Sequence, residues 1–374
     1  MVVTAGQLPC LASVSKYCSR FWRVGDPLGV SGKYAETIKA IVEKENIDFI
    51  LPMTEASIHL LNRVRSSLPA RVVLGCPTAE KMIAVSNKVN LFKLAEKLKV
   101  PIPRTHYLSG RDDIHNLVNE IDSYPAVVKP ALSRTPEGET FLSGGVRYAG
   151  SQEELKRIYA TSKVLEYPSM IQEKIIGAGT GLFTLYDIDR HLALFSHRRL
   201  REKPPSGGVS VVSESVPLDE EMVDNAGRLL SAVGWRGVAM VEFKRDQRDG
   251  KAKLIEINGR FWGTLQLAVT CNVDFPKLYL DYFQGKYPPN PIRDYRLGHK
   301  MIWLFGTADH LLIRLKNRGE KFYLPTDGPS GWKILVDSLK VRDKATSFDV
   351  FDRNDLRPFF LEARNYVVQA VRSG

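Results

Sequence analysis

Between residues 235 and 263 the alternation of apolar and polar positions takes on strand character twice. Val238 to Lys244 and Lys251 to Ile257 flank a polar connection that contains Asp249-Gly250, a dipeptide tolerant of the positive φ angles of a tight turn. The pattern predicts a β-hairpin. Strand residues two apart share a face, so Glu256 and Asn258 should project together while Ile255 and Ile257 turn toward the core. Cross-strand pairing can then set Glu242 beside Glu256, with Arg260 following where the strand ends.

Upstream, the periodicity alternates between helix and strand. Ile38, Ile41 and Val42 have helical spacing, Ile47 to Met53 forms a short apolar run, Thr54 caps a segment carrying Ile58, Leu61 and Val64, and Arg71 to Gly75 reads as a strand. This predicts a small, open, mostly parallel α/β sheet over residues 1–86. Such a sheet normally opens with a strand and a helix. The first residues, MVVTAGQLPCLASVSKYCSRFWRVGDP, offer a few strand positions and no convincing helix, so the opening βα unit is expected to be absent.

Asn87 can cap a helix from Lys88 to Lys99, which Pro101 and Pro103 stop. Ser109 to Ser123 is a second helical stretch, and PAVVKP, residues 125 to 130, is a short buried strand that delivers Lys129 at its exposed end. Ser133 to Gly150 is polar and rich in Gly, Ser and Thr. Its freed backbone amides could close over phosphate oxygens, or it could be a plain hairpin loop. Ser151 with Glu154 opens the next helix, and strands follow at Ser169 to Ile175, Leu182 to Ile188 and His191 to Arg198. The loop RRLREKPPSGG, residues 198 to 208, reads either as anion recognition or as a solvated charge run. Asp219 opens a helix to Val233, Thr264 to Val269 and Phe275 to Phe283 are buried helices, and Met301 to Leu315 and Leu356 to Val371 are further helices. Packing against the core is the preferred reading of their apolar stripes over attachment to a membrane surface.

Composition narrows the function classes. The 374 residues suffice for two or three domains, 44% hydrophobic content is ordinary for a globular chain, and no apolar run approaches the roughly 20 residues of a membrane span. The sequence shows no secretory signal, and a cytoplasmic protein is the expectation. Cys10, Cys18, Cys76 and Cys271 have neither metal-ligand nor disulfide-framework spacing. The net charge of +11 comes from dispersed Lys and Arg with no nucleic-acid-binding motif, which favours a phosphate-rich active site over nucleic acid as its purpose.

Glu242, Glu256 and Asn258 offer three hard oxygen donors. That set suits Mg2+ (or Mn2+), which takes one or two protein carboxylates and completes its shell with water and nucleotide phosphate. Arg260 beside it suits a phosphate or carboxylate. The bland alternative is a solvated cross-strand pair with Arg260 as counter-ion.

The ordered set of SNKVNLFKLAEKLKVPIPRT, PAVVKP, a Gly-rich loop, MIQEKIIG, and the strands VEF and EINGRFWG resembles the ATP-grasp ligases from about residue 20 to residue 285. It is most like the carboxylate–amine ligase branch related to carbamoyl-phosphate synthase and biotin carboxylase. The resemblance implies an α/β (α+β) ATP-grasp fold. A truncated Rossmann-like pre-ATP-grasp domain would occupy residues 1–86, and a two-lobed ATP-grasp domain 87–285, with its lid lobe at about 118–171, hinge at 171–176 and metal-binding lobe at 177–285. A mostly helical C-terminal extension would follow at 286–374.

It further implies ATP and Mg2+ as cofactors, with Lys88 and Lys129 on the nucleotide phosphates and Ser143, Gly144 and Gly145 in the lid. Gln172, Glu173, Lys174 and Ile175 would form the hinge, Glu173 and the neighbouring backbone meeting the adenine. Glu242, Glu256 and Asn258 would hold the metal, with Arg260 and Lys129 as the catalytic pair. Arg198, Lys203, Ser206, Gly207 and Gly208 would face the carboxylate. The implied activity is an ATP-dependent ligase that activates a small carboxylate, such as an amino acid, as an acyl phosphate and joins it to an amine. A bicarbonate-using carboxylase and a non-catalytic nucleotide-binding protein are the alternatives. Many relatives carry an acidic residue for the ribose just after the hinge, where this chain has Gly177-Ala178-Gly179-Thr180-Gly181, so the ribose contact is unassigned. The substrates' identities and the oligomeric state stay open, a homodimer being one option.

Overall fold

Period-two burial along the central strands lets one sheet be covered on both faces. Along β11 (Gly179–Asp187), Leu182 and Tyr186 join one core cluster while Phe183 and Leu185 join another. The same sheet, in spatial order, comprises β15 (Ala252–Asn258), β14 (Arg236–Arg245), β11, β12 (Arg190–Lys203), β13 (Val209–Ser215), β16 (Lys300–Ile302) and β17 (Thr346–Phe348). All its pairings are antiparallel except β16 with β17. Helix α8 (Glu220–Ala232) covers the first face through Met222, Leu229 and Leu230. Helices α9 (Leu265–Thr270) and α10 (Phe275–Phe283) cover the second through Leu267, Phe275 and Tyr279. Each such side chain, fully buried, contributes about 1.5–3 kcal/mol. The structure is a computed structural model that describes residues 1–25, 32–137, 140–205, 207–316, 332, 333, 336 and 345–373.

A second, four-stranded antiparallel sheet has the order β5 (Thr105–Leu108), β10 (Ser169–Glu173), β6 (Ala126–Pro130), β9 (Arg147–Ala149). Leu155, Ile158 and Tyr159 of α7 (Gln152–Thr161) pack with Val128 and Ile171 of this sheet. The helix expected over 109–123 is instead broken into a single α-turn, α6 (Ile114–Leu117), flanked by 3₁₀ turns. The Gly-rich stretch forms the hairpin of β7 (Arg134–Glu137) and β8 (Thr140–Ser143).

The opening βα unit, expected to be absent, is present in reduced form. Strand β1 (Val2–Ala5) pairs in parallel with β2 (Arg20–Arg23), and only a four-residue helix, α1 (Leu11–Val14), lies between them. Helices α2 (Gly32–Lys44), α3 (Glu55–Arg63) and α4 (Ala79–Ser86) accompany a second parallel pair, β3 (Phe49–Ile50) with β4 (Val73–Leu74). Helix α5 (Lys88–Lys97) starts at Asn87, whose side chain accepts from Asn90 N, 3.1 Å away.

The C-terminal residues were expected to be mostly helical. Helices α11 (Leu304–Lys316) and α12 (Arg357–Ser373) are there, but β16 and β17 add two strands to the main sheet. Three-residue strands carry too little alternation to be seen in a sequence. Helix α12 lies against α1, and Ser15 Oγ donates to Asp355 Oδ2 over 2.5 Å. Among the described residues no helix is long and apolar enough to cross a membrane.

Helix α4 packs on β15, and at Gly259, just past the end of that strand, a Cβ would come within 2.4 Å of the Trp235 ring and 2.9 Å of Met82 Sδ. Trp235 is fully buried and cannot retreat. Gly259→Ala is therefore expected to cost about 1–3 kcal/mol of unfolding free energy, seen as a lower urea midpoint at an unchanged slope.

Candidate functional site

The hairpin of β14 and β15 sets Glu242 directly opposite Glu256 and Met240 opposite Asn258. The register shifts between Glu242 and Phe243, so that Phe243 pairs with Leu254 and Ile255 is the extra residue of a bulge. Ile255 consequently lines the site rather than turning to the core as expected, and Leu254 takes the core position. The neighbouring Val241 and Phe243 are fully buried, which fixes the face that Glu242 presents.

The two carboxylates differ in environment. Glu242 is 5% exposed, and burial pushes its pKa up to about 7, with Glu256 adding to the rise while an ion pair to Arg199 opposes it. At Glu256 burial acts in the same upward direction. Lys88, the 2.7 Å hydrogen bond donated by Asn258 Nδ2, and Lys129 outweigh it and bring the pKa below its usual value. Lys129 is buried rather than at an exposed strand end. Desolvation lowers its pKa to about 8, while Glu256 and Glu242 hold it up. Lys88 Nζ donates to Ser133 Oγ at 2.9 Å, and Arg260 donates to the Phe261 carbonyl at 2.8 Å.

Among the described residues no three His, Cys, Asp or Glu side chains cluster as a closed metal cage. Two carboxylates and an amide oxygen fit an ion that takes the rest of its shell from phosphate and water, as magnesium does. Lys88, Lys129 and Arg260 line the same cavity and supply the positive charge that phosphate needs. That cavity holds about 870 Å³ and is walled by both sheets.

At its other side lie Gln172, Glu173, Lys174 and Ile175. Gln172 is 2% exposed; its Nε2 donates to Thr105 Oγ1 at 2.9 Å, and its Oε1 has no hydrogen-bond partner among the described residues. A buried acceptor left open in a cavity suits a ligand N–H. Glu173 was expected to meet the adenine, but its carboxylate is engaged elsewhere. It accepts from Arg104 N at 2.9 Å and pairs with Arg248 at 2.8 Å and Lys253 at 3.5 Å. Arg248 and Lys253 also hold the fully buried Asp246, tying β10 to the hairpin of the main sheet.

The expected lid residues do not line the cavity. A Cβ on Gly144 would come within 2.6 Å of Pro130 Cγ and 3.0 Å of Val164 Cγ2, so this loop packs down on the four-stranded sheet, and Val146 and Tyr148 take the lining positions. Of the residues expected to face a carboxylate, Arg198 pairs with Glu214 and Lys203 with Asp309, and neither lines the cavity. Gly207, at φ +128°, and Gly208 do line it, whereas Ser206 lies outside the described residues.

The residue that faces inward is Arg199. Arg198 and Arg199 are adjacent on a strand, so only one can face the site, and a sequence gives no sign of which. His197 was also missed. It is 1% exposed, its Nε2 lies 2.8 Å from Thr264 Oγ1, its Nδ1 has no side-chain partner among the described residues, and burial followed by Arg199 lowers its pKa to about 3.

Trp303, Asp349 and Glu362 also line the cavity, and Trp303 Nε1 donates to Glu362 Oε1 at 2.7 Å. Burial, with Glu362 beside it, pushes the Asp349 carboxyl up to about 6. A carboxyl whose pKa rises on folding weakens the fold as pH climbs from its unfolded value, ~3.9, through about 6. Asp349→Asn is expected to gain about 1–2 kcal/mol in urea titrations near neutral pH, after allowance for the group's partial exposure. That gain should vanish below roughly pH 4, where both side chains are neutral.

Residues 197–303 match the family described as ATP-grasp in the biosynthetic pathway with Ter operon. The formate-dependent phosphoribosylglycinamide formyltransferase of Pasteurella multocida is 33% identical over 108 residues, covering 29% of this chain and 26% of that one. The chain thus spans about a quarter of the length of the curated relatives it first matches. Among solved structures, biotin carboxylase from Campylobacter jejuni in a β,γ-ATP complex superposes with a TM-score of 0.62 at 17% identity, covering 80% of this chain and 68% of that one. The L-amino acid ligase from Bacillus licheniformis gives 0.53 at 19% identity, covering 70% and 62%. Residues 197–303 thus match an ATP-grasp family, and the chain shares its fold with these two solved structures.

Proposed function

We propose that this chain is an ATP- and Mg2+-dependent ligase that activates a small carboxylate as an acyl phosphate and joins it to an amine, releasing ADP and phosphate. The observation that carries this reading is the convergence of Lys88, Lys129, Glu242, Glu256, Asn258 and Arg260 on one cavity. Lys88 and Lys129 would hold the nucleotide phosphates, the two glutamates and Asn258 a magnesium ion, and Arg260 the phosphoryl group in transfer. Gln172 and the backbone at Lys174 and Ile175 would meet the base. Phosphoryl transfer to a carboxylate needs positioning and charge neutralisation more than covalent help, and these residue types supply both.

The names of the similar proteins support a carboxylate as the acceptor: an amino acid ligase, a biotin carboxylase and a formate-dependent transferase. We take residues 87–285 as the catalytic unit, with the residues on either side shaping the substrate end.

The test is ADP release from Mg-ATP by the purified chain against pooled carboxylates, each with and without pooled amines. Release that requires both pools supports the ligase. Release with bicarbonate alone would replace it by a carboxylase, and ATP binding without stimulated release by any pool would refute it.

A further inference from the structure

Arg199 reaches the metal carboxylate from two strands away. Its backbone is on β12 and Glu242 is on β14, with β11 between them. The residue of β11 beside its path is Gly179, where a Cβ would make an ordinary packing contact with Arg199 Cδ at 3.7 Å. Arg199 ends between two carboxylates. Nη1 donates to Glu202 Oε1 at 2.8 Å and to the Gly208 carbonyl at 3.3 Å, while Nη2 pairs with Glu242. Both partners are largely buried, as is Arg199 itself, and all three line the cavity.

Arg199 holds Oε2 of Glu242, and a divalent ion bound to the same carboxylate would repel the guanidinium and compete with it for a single negative charge. The ion carries twice the charge in a smaller volume, and with Glu256 and Asn258 beside it, it should win that carboxylate. Arg199 would then stay anchored to Glu202 by one edge and hold an unpaired edge toward the cavity, where a buried unpaired charge is costly. A carboxylate matches that edge bidentately.

We propose that Arg199 is a positioning residue that exchanges partners: it holds Glu242 in the metal-free site and becomes the anchor of the carboxylate co-substrate once a divalent metal claims Glu242. The second half rests on the ligase reading; the first does not. Metal–nucleotide binding then precedes carboxylate binding, and Glu202 is the pivot.

The experiment measures Mn2+ binding by electron paramagnetic resonance in the presence of ADP. Arg199→Gln should bind Mn2+ about tenfold tighter than the unaltered chain, because the competitor is gone. Arg199→Lys keeps the charge but cannot span Glu202 and Glu242 together, and should also tighten binding, by less. Glu202→Gln should weaken Mn2+ binding several-fold, since Arg199 is left with Glu242 alone, and this weakening should largely disappear in the Arg199→Gln background.

Unchanged or weaker Mn2+ binding in Arg199→Gln overturns the exchange, as does an Arg199→Lys chain identical to the unaltered one, which would mean that only long-range charge matters. With a carboxylate pool that supports turnover, KM for that pool should fall as Mg2+ is raised in the unaltered chain, and be at least about thirtyfold higher and independent of Mg2+ in Arg199→Gln. A KM that does not move overturns the anchoring role. Mn2+ results as expected in a chain that turns over no pool would refute the ligase reading and the anchoring role with it, while sustaining the exchange at Glu242.

Discussion

Glu256→Gln is expected to lower ADP release from Mg-ATP by about 10³-fold or more while leaving the fold intact. The reason lies in the asymmetry of the pair. Glu256 is the carboxylate kept ionised, by Lys88, Asn258 and Lys129 acting against burial, whereas Glu242 is drawn toward neutrality and shares itself with Arg199. The amide keeps the shape and one oxygen but removes the charge that would bind the ion. The measurement is ADP release with saturating substrate pools, alongside circular dichroism and a thermal melt. Retained turnover in a folded variant would remove Glu256 from the metal role.

Asp246→Ala should give a large loss of stability, about 2 kcal/mol, because it removes the buried carboxylate shared by Lys253 and the half-exposed Arg248. Asp246 is fully buried and accepts from Arg248 Nε at 2.9 Å and from Arg248 N at 3.0 Å, with Lys253 Nζ 3.0 Å away. Those bonds, the Arg248 guanidinium foremost, hold its carboxyl well below the usual carboxylate range. A depressed folded-state pKa adds stability that is present above the unfolded value of ~3.9 and lost as pH falls below it. The gap between the unaltered chain and the variant in urea melts should therefore be full at neutral pH and narrow in acid. A uniform gap would mean that Asp246 acts through packing alone.

Much of the site could be read before any coordinates. The Asp249-Gly250 turn marks the hairpin that brings Glu242 and Glu256 onto neighbouring strands, though its register alone would set Glu242 opposite Ile255, and Asn87 caps the helix that begins at Lys88. These signals are local: a turn type, a cap, a period of two. What escaped was non-local or depended on a single residue of register. The bulge that re-aims Ile255 inserts one residue without any compositional mark. Arg198 and Arg199 are chemically identical neighbours whose faces are decided by the strand they pair with. Glu173 carries a plausible charge for a ligand contact, yet folding brings it within reach of Arg248, 75 positions away, which claims it. Trp303, Asp349 and Glu362 lie outside every motif, and only the sheet's extension by β16 and β17 places them on the cavity.

That extension also sets an order of assembly. Lys88 through Arg260 are all translated before Trp303, Asp349 and Glu362, and β17 can join the main sheet only after its neighbour β16 has taken its place beside β13. On the ribosome the part of the cavity lined by Lys88 through Arg260 can therefore take shape while Trp303, Asp349 and Glu362 are still unmade. The lining is complete only when α12, packed against α1, brings Glu362 to the cavity.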